Sequence, residues 1–468
     1  MKPTTTWSHV PFKQYIPDTH EIYINRVAPF KTGVTFDFML VGADFDVKEF
    51  DVHVRLRGSD DAWKTKKVSG FTATIDGLET DTDYEFYVSA GELSSLVRFV
   101  RPYEVPGKVL NYIHAQDPIY SFSGQYLSSP SILRTKKGTL IVSTDVFDDN
   151  TPQNLTFIYR SEDNGKTWQY ACELLPCFWG ELFEHNGEIY MFAVSGEYGD
   201  LLIGKSTDDG KSFSMPTVLY RGSNSRDVTG PHRNATQIIE HDGRIWASVE
   251  SGGWTGDVPG HFFFTVASAP SDADLLDASN WVFSEPLKYD RNWPGAFPGA
   301  TRGCIEGNMV VSPEGKLYNI LRYETERHAK DYGKIPVLEV NTKDPEAQLK
   351  FAYFAKLDAN KSKFEIQKDP VTGNYYTIAN RIRNAECTRH RNLISLFVSK
   401  DLVTFEPVCD LIDITDLDPL MNGVQYCSFV FDGDDIQFVC RTGLGGSHSY
   451  HDTNYITHHV IKDFRNIK

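Results

Sequence analysis

The sequence predicts an all-β protein in which an N-terminal β-sandwich is followed by a six-bladed β-propeller, with a seventh blade left open. Three observations support this fold class. Short alternating strands fill residues 1–105, a strand–turn–strand unit recurs along residues 106–468, and one eight-residue turn motif occurs twice about one unit apart. Repeats of this period are typical of propellers, because each sheet needs its neighbours to bury its faces.

Length and composition limit the classes of protein and partner. The chain has 468 residues, 40% hydrophobic and 13% aromatic, which is enough for two domains with packed cores. A net charge of −16 without a basic run argues against nucleic acid and anionic membranes as partners. No apolar stretch is long enough to cross a bilayer, so we expect no membrane insertion. The seven cysteines form no CxxC pair, which argues against structural zinc.

The N-terminal end leaves the cellular compartment open. Its first residues, MKPTTTWSHV, lack the apolar core of a signal peptide. We therefore expect either a cytoplasmic protein or the mature form of a secreted one.

The first domain, residues 1–105, is predicted from short strands at 21–27, 33–40, 49–56, 71–75, 84–88 and 95–101. The sequence IDGL at 75–78, followed by a strand that begins at Tyr84, resembles a fibronectin type III domain, in which a Leu precedes a turn and a Tyr packs at the corner of the next strand. Pro102 and Pro106-Gly107 indicate a linker. The resemblance implies a module that positions a catalytic domain.

The second domain, residues 106–468, is predicted from six strand pairs, each joined by a polar turn. They are 131–135 with 139–144, 181–184 with 188–194, 236–240 with 244–249, 308–311 with 316–322, 364–368 with 374–379, and 426–431 with 436–441. Six units in about 360 residues fit six blades, although the excursion at 257–284 leaves room for a seventh. We expect the strand at 109–115 to complete the last blade, which closes the ring and removes exposed sheet edges.

The repeated turn motif reads S-x-D-x-G-x-[T/S]-aromatic. It occurs at 161–168 and 206–213, with a decayed copy at 398–405. We expect the Asp carboxylate to accept backbone N–H groups, the Gly to adopt a positive φ, and the aromatic side chain to pack between sheets. These motifs resemble the Asp-box, or BNR repeat, of the sialidase superfamily. The resemblance implies a glycoside hydrolase on a β-propeller, and we expect the motifs themselves to be structural.

Residues at the start of the first strand and at the end of the second strand of each unit are expected at one end of the central channel, where a ligand would bind. Arginines are frequent among them. The set comprises Gln125, Tyr126, Trp179, His232, Arg233, Arg302, Glu306, Arg322, Arg381, Arg391, Tyr426 and Arg441. Because a guanidinium pairs bidentately with a carboxylate, converging arginines predict an anionic ligand for this acidic chain.

Four of these positions match the sialidase pattern. Glu306 begins a mid-ring unit and Arg322 ends its second strand, while Arg391 lies eight residues before Ser399 and Tyr426 begins the last unit. The resemblance implies that Tyr426 is the nucleophile, that Glu306 accepts its proton, and that Arg322 and Arg391 bind a carboxylate. A base is needed because a phenol, with a pKa near 10, is a poor nucleophile at neutral pH. No metal or organic cofactor is implied.

The first unit departs from this pattern. Sialidases begin it with Arg-Ile-Pro, and Ser128 stands in the place of that arginine. The loss of one carboxylate-binding arginine argues against sialic acid and favours another acidic sugar, such as a uronic acid. The acid that protonates the leaving oxygen is expected in the loop after the second strand, where Asp148 is preferred over Asp145 and Asp149. A solvated loop rich in carboxylates explains the same residues.

The sequence therefore predicts a sialidase-like glycoside hydrolase for an acidic oligosaccharide or polysaccharide. Further substrate contacts are expected from Arg302, His232, Trp179 and Gln125. A polysaccharide lyase stays open, with His232 and Tyr426 as base and acid and Arg302 or Arg322 against a uronate. A non-catalytic carbohydrate-binding propeller also stays open, as do structural roles for Tyr426 in its strand, Trp179 in the core and His232 in a hydrogen bond.

Overall fold

The computed structural model describes residues 22–41, 47–223, 228–252, 262–298, 301–325, 332–359, 361–382 and 390–467, without the side chains of 301, 302 and 325. These residues form 34 strands and three 3-10 helices, at Pro118–Tyr120, Ala278–Asn280 and Phe464–Asn466. The described part of the chain contains no α-helix and therefore no helix that could cross a membrane. The predicted all-β class is confirmed.

Two antiparallel sheets form the N-terminal sandwich. In order across each sheet, the first is β1 (Ile22–Phe30), β2 (Gly33–Leu40) and β5 (Thr72–Asp76), and the second is β4 (Lys64–Ser69), β3 (Glu49–Leu56), β6 (Tyr84–Ala90) and β7 (Leu93–Ser94), with β8 (Arg98–Val100) also pairing with β6. Alternate residues meet between the sheets, as Phe36 does with Phe86. The sequence patterns did not predict β4, because its largely exposed residues, KTKKVS, show no apolar alternation.

The sandwich packs directly against the rest of the chain. The Arg98 guanidinium pairs with the Asp117 carboxylate at 2.7 Å, both buried, and the Tyr23 hydroxyl donates to Glu173 at 2.5 Å. Within the sandwich, the Tyr84 hydroxyl accepts the backbone N–H of Glu79 at 3.1 Å. The fibronectin type III assignment and the domain boundary near residue 105 stay predictions.

Six blades form the propeller. In order across each sheet, the first blade is β10 (Tyr126–Arg134), β11 (Leu140–Phe147), β12 (Thr156–Ser161) and β13 (Gln169–Leu174), and the second is β14 (Phe178–His185), β15 (Glu188–Val194), β16 (Leu201–Ser206) and β17 (Thr217–Tyr220). The third is β18 (Gly230–His232), β20 (Arg244–Gly252), β21 (Phe263–Pro270) and β22 (Val282–Phe283), with β19 (Ile239–His241) paired to β20 and β23 (Leu287–Lys288) paired to β21, and the fourth is β24 (Thr301–Val311), β25 (Leu317–Thr325), β26 (Lys334–Glu339) and β27 (Lys350–Leu357). The fifth is β28 (Ile366–Lys368), β29 (Tyr375–Asn380), β30 (Leu393–Ser399) and β31 (Thr404–Asp413), and the sixth is β32 (Gly423–Asp432), β33 (Asp435–Gly443), β34 (Tyr455–Ile461) and β9 (Lys108–Tyr112). The fourth and fifth blades join through a parallel β27–β31 pair.

The ring closes as the sequence predicts. Strand β9 precedes the first blade in the chain but pairs antiparallel with β34, with Tyr112 opposite Tyr455. The start of the propeller chain therefore supplies the outer strand of the last blade, and β34 is paired on both sides. This closure brings residues of the first and sixth blades, 296 and 313 positions apart, into contact.

The two turn motifs adopt the expected geometry. Asp163 accepts the backbone N–H of Thr167 at 2.8 Å and its hydroxyl at 2.6 Å, and Gly165 has φ of 79°. Trp168 is buried between sheets. Asp208 accepts the same two groups of Ser212 in the second motif.

The first strand of the third blade differs from the prediction. Instead of one strand at 236–240, two short strands, β18 and β19, both pair with β20. The chain between them leaves the sheet, and the guanidinium of Arg233 donates to the carbonyls of Phe192, Asn234 and Thr236 there. This break frees the side chain of Asn234 to reach the neighbouring blade.

Candidate functional site

A cavity of about 340 Å³ receives side chains from all six blades and therefore lies on the axis of the ring. Its wall combines arginines, carboxylates and aromatic rings. The lining residues are Ser128, Phe147, Asp149, Trp179, Glu197, His232, Asn234, Ile305, Glu306, Arg322, Glu324, Arg391, Tyr426, Arg441, Tyr450 and His451.

Three lining residues occupy the same position in alternate blades. Trp179, Glu306 and Tyr426 each lie in the first strand of a blade, where the pairing with the second strand slips, and each has a positive φ of 49°, 58° and 57° respectively. Residues other than glycine rarely adopt this backbone conformation. Bulges of this kind redirect a side chain out of the regular alternation of the strand. The bulge turns each of these side chains into the cavity.

The residue after Glu306 shows how tightly this bulge is packed. A Cβ atom on Gly307 would lie 2.1 Å from Asn319 Oδ1 and 2.3 Å from Ser248 Oγ. The Gly307 N–H donates to Glu250 at 3.1 Å. Only glycine fits between these groups, so the backbone that presents Glu306 is held by its neighbours.

Arg322 connects the two residues that the sequence assigns to the chemical step. Its Nη1 donates to Glu306 Oε2 at 2.9 Å and to Tyr426 Oη at 3.2 Å, while its Nη2 donates to Glu324 Oε2 at 2.7 Å. Ile305 lies opposite Arg322 in the β24–β25 hairpin, which explains why Glu306 and Arg322 meet. The carboxylate, the guanidinium and the phenol thus form one contiguous polar group.

The Glu306 carboxyl group is ionised at neutral pH. Burial acts to raise its pKa, but the charge and hydrogen bond of Arg322 outweigh burial and lower it. Asn234 Nδ2 also donates to Glu306 Oε1, at 2.7 Å. An ionised carboxylate suits a proton acceptor and not a proton donor.

Two further arginines flank the ring of Tyr426. The Cζ atoms of Arg391 and Arg441 lie 5.4 Å and 4.7 Å from its centroid. Arg391 donates to Gln425 Oε1 and to the carbonyl of Lys361, the latter at 2.9 Å. The Nε–H groups of both arginines are buried without an acceptor among the described residues. Burial lowers the pKa of Arg441 to about 10.

Arg441 reaches the position where the sequence shows a missing arginine. Its Nη1 donates to Ser128 Oγ at 3.3 Å, and its Nη2 donates to the carbonyl of His451. His451 in turn pairs through Nδ1 with Asp452 at 2.8 Å, and burial and the nearby Arg441 charge lower its pKa to about 4. A guanidinium of the sixth blade therefore lies next to Ser128 of the first blade.

His232 lies on the opposite wall. Its Nδ1 and Glu250 Oε2 are 3.1 Å apart, and both side chains are buried. Its ring centroid lies 4.6 Å from that of Trp179 and 4.8 Å from that of Phe262. Trp179 thus both lines the cavity and packs against the histidine.

Six of the nine predicted site residues line this cavity: Tyr426, Glu306, Arg322, Arg391, His232 and Trp179. Gln125 does not line it, and its backbone N–H donates to Phe147 at 3.1 Å. The side chain of Arg302 lies outside the described residues. Their catalytic and binding roles stay predictions.

Asp148, the predicted acid, is not among the residues that line this cavity. Its carboxylate accepts the backbone N–H of Asn150 at 3.1 Å within the loop, and it is the next residue, Asp149, that lines the cavity. Neighbouring residues of a loop point in different directions, and their order in the sequence does not show which one faces inward.

Sequence patterns did not single out several lining residues. Glu324, which contacts Arg322, belongs to none of the motifs described above. Arg441 stood among the channel-end positions but was given no role. Tyr450 and His451 lie in the loop between β33 and β34, where no motif marks them.

The described residues contain no group of three or more His, Cys, Asp or Glu side chains that could hold a metal ion.

Comparison with known proteins gives a fold and no family. No protein-family model and no curated protein matches the sequence. Among solved structures, the chain is similar to the Penicillium chrysogenum α-L-arabinanase complexed with arabinobiose, at 14% identity over 77% of this chain and 100% of that one, with a TM-score of 0.50. It is also similar to the GH93 α-L-arabinofuranosidase of Fusarium graminearum with arabinobiose, at 13% identity over 76% and 98%, with a TM-score of 0.50. At this identity the likeness shows the propeller fold alone.

Proposed function

We propose that this chain is a glycoside hydrolase that acts on glycans containing an acidic sugar of the uronic acid type. The observation that carries the proposal is the shared contact of Arg322 with the Glu306 carboxylate and the Tyr426 hydroxyl in an axial cavity. Solved propellers of similar fold are named as an arabinanase and an arabinofuranosidase and hold arabinobiose, which supports a carbohydrate ligand.

The first step of the proposed reaction uses Tyr426, Glu306 and one acid. Tyr426 Oη attacks the anomeric carbon while its proton passes to Glu306, which is ionised and can accept it because Arg322 lowers its pKa. The bond from the anomeric carbon to the leaving oxygen breaks, and that oxygen takes a proton from the acid. We assign the acid to Asp149 instead of Asp148, because Asp149 is the one that lines the cavity.

The second step returns the enzyme to its starting state. A water molecule attacks the anomeric carbon and gives its proton to Asp149. The bond to Tyr426 Oη breaks, and the phenolate takes its proton back from Glu306. In both steps Arg322 Nη1 faces the oxygen that carries negative charge as the bond to carbon forms or breaks, and such a fixed donor stabilises the transition state.

An acidic sugar is favoured because the cavity contains three buried arginines. Arg322, Arg391 and Arg441 contact or flank one tyrosine ring. A guanidinium offers its N–H groups in a plane that matches a carboxylate. Two of the three, Arg391 and Arg441, contact no carboxylate among the described residues, which leaves their charges available to an acidic ligand.

The test is a screen of sialosides, glucuronides, galacturonides and rhamnose–uronate disaccharides that follows both new reducing ends and ultraviolet absorbance. New reducing ends without new absorbance are expected. A product that absorbs indicates elimination, and no product in either assay, together with glycan binding, indicates a non-catalytic propeller. Efficient cleavage of sialosides would contradict the argument from Ser128 for a uronic acid.

The nucleophile is tested by Tyr426→Phe. We expect turnover to fall by at least about a thousandfold, because the attacking oxygen is lost while the ring and its packing remain. Tyr450→Phe is the matched control, since it removes a hydroxyl from the same cavity and should change turnover by less than about tenfold. Near-full activity of Tyr426→Phe would show that the tyrosine mechanism is wrong.

A uronate lyase is the second candidate, and the pairing of His232 with Glu250 favours it. A carboxylate on Nδ1 orients the ring and supports proton uptake at Nε2. His232 would take the C5 proton of the uronate, the C4–O bond would break as the C4–C5 double bond forms, and Tyr426 would protonate the leaving oxygen. Loss of an absorbing product in His232→Gln would support this alternative, and absence of such a product in the wild type would exclude it.

A further inference from the structure

The three arginines of the cavity differ in whether the protein neutralises them. Arg322 lies between two carboxylates, Glu306 at 2.9 Å and Glu324 at 2.7 Å. Arg391 and Arg441 contact no carboxylate among the described residues. Their acceptors are neutral: an amide and a carbonyl for Arg391, and a hydroxyl and a carbonyl for Arg441.

The two arginines without a carboxylate partner, Arg391 and Arg441, are also deeply buried. Arg391 is 6% exposed and Arg441 is 2% exposed, and both line the cavity next to the Tyr426 ring. Buried charges in proteins are paired as a rule, because an unpaired one loses its hydration without compensation. Two adjacent unpaired cations also repel each other. A negatively charged ligand would relieve both costs.

We propose that Arg391 and Arg441 form a two-arginine clamp for the carboxylate of the acidic sugar, and that Arg322 is not part of it. The inference rests on the proposed function for the identity of the ligand, a sugar carboxylate. Arg441 supplies the donor that Ser128 lacks, since its guanidinium contacts the Ser128 hydroxyl. Arg322 is a positioning residue, which holds Glu306 and Tyr426.

This arrangement separates anion binding from the chemical step. The clamp lies over the faces of the Tyr426 ring, whereas Arg322 contacts its hydroxyl oxygen. The carboxylate is therefore held beside the tyrosine by residues that are not engaged with Glu306.

The clamp is tested by equilibrium binding on a Tyr426→Phe background, where turnover cannot interfere. Titration calorimetry measures the Kd of D-glucuronate and of N-acetylneuraminate, each compared with its neutral amide. We expect at least one acid to bind more tightly than its amide. We expect Arg441→Met and Arg391→Met each to weaken that acid by about tenfold to a hundredfold, with little effect on the amide. The preferred acid shows which carboxylate-bearing sugar the clamp fits.

Arg381→Met is the matched control, because Arg381 pairs with Asp410 on a half-exposed surface outside the cavity and its loss should not change the Kd. Unchanged affinity in Arg441→Met, or no preference for either acid over its amide, would overturn the clamp. The amide comparison needs no arginine variant, so it holds even where Arg441→Met fails to fold. If the wild type cleaves acidic glycans but Arg441→Met binds the acid with the same Kd, the clamp alone is refuted. If Arg441→Met weakens binding of the acid but the wild type cleaves no glycan, the hydrolase alone is refuted.

Discussion

Replacement of Arg322 by methionine perturbs the most tightly paired charge of the cavity. The side chains of Arg322, Glu306 and Glu324 are 7%, 3% and 3% exposed, and the two ion pairs measure 2.9 Å and 2.7 Å. Methionine fills much of the same volume but has no charge and no donor. The substitution therefore leaves two buried carboxylates without their shared cation.

The size of the effect follows from this burial. Removal of one partner from a buried ion pair destabilises proteins by about 3–5 kcal/mol, since the remaining charge stays out of water. Unfolding entropy is about 2 cal/mol/K per residue near the midpoint, so for a propeller of roughly 360 residues the Tm should fall by about 4–7 °C. Asn234 still donates to Glu306, which keeps the expected loss within this range.

The loss should depend on pH in a defined direction. In the wild type the folded pKa of Glu306 lies below its ordinary value, so this group stabilises the fold above about pH 4.5 and the contribution is lost as the pH falls through the folded pKa. In Arg322→Met burial becomes the main influence and raises that pKa. Protonation then favours the folded state as the pH falls. The difference in Tm between the wild type and Arg322→Met should be widest near pH 7.5 and narrower at pH 5.

Differential scanning calorimetry at pH 7.5 and pH 5.0 measures both quantities. Arg381→Met is the control, because its ion pair with Asp410 measures 3.3 Å and its partners are 30% and 26% exposed. Such pairs contribute about 0–1 kcal/mol, so the control should lower the Tm by little more than a degree. An Arg322→Met shift no larger than that of the control, or one that does not narrow at pH 5.0, would refute this account of the cavity.

Two further substitutions test the elements that surround the site. Gly307→Ala should destabilise the fold by about 1–3 kcal/mol and lower kcat, because its Cβ would meet Asn319 and Ser248 and displace Glu306. Thermal scans measure the loss of stability, and turnover of the substrate found in the screen measures kcat. An unchanged kcat would contradict the role of this bulge. Asp163→Asn should lower the Tm at pH 7, since the hydroxyl and N–H of Thr167 lower the Asp163 pKa to about 2. This carboxylate stabilises the fold above its unfolded pKa near 4, so the difference from the wild type should shrink as the pH falls toward 2, and a difference that persists there would contradict it.

Local patterns explain why much of the propeller could be predicted. The turn motif places Asp163 and its hydrogen-bond partners within a few residues, so their contacts follow from the chain itself. The hairpin that pairs Ile305 with Arg322 is equally local, and the two strands that form it lie within the predicted strand pair 308–311 with 316–322 or directly beside it. Strand β4 and the interrupted first strand of the third blade lack such a signal, because their hydrophobic pattern is weak.

The contacts of Arg441 and the orientation of the Asp148–Asp149 loop could not be predicted in the same way. Ser128 in the sequence indicates a weakened grip on a carboxylate, yet Arg441 contacts Ser128 across 313 positions of the chain. The loop that carries Asp148 and Asp149 also shows no preference in sequence for the residue that faces inward. Both outcomes depend on neighbours that are distant in the chain.

By itself, the sequence determined an all-β chain, repeated strand pairs that fit six sheets, and closure of the ring by β9. These features arise from alternation of apolar residues, turn geometry and pairing within single hairpins, which act over a few residues. Only the tertiary structure decided which arginines contact no carboxylate among the described residues, which aspartate lines the cavity, and that Arg441 contacts Ser128. Those properties appear when the first and sixth blades meet on the axis, because charge pairing and burial there depend on every blade at once.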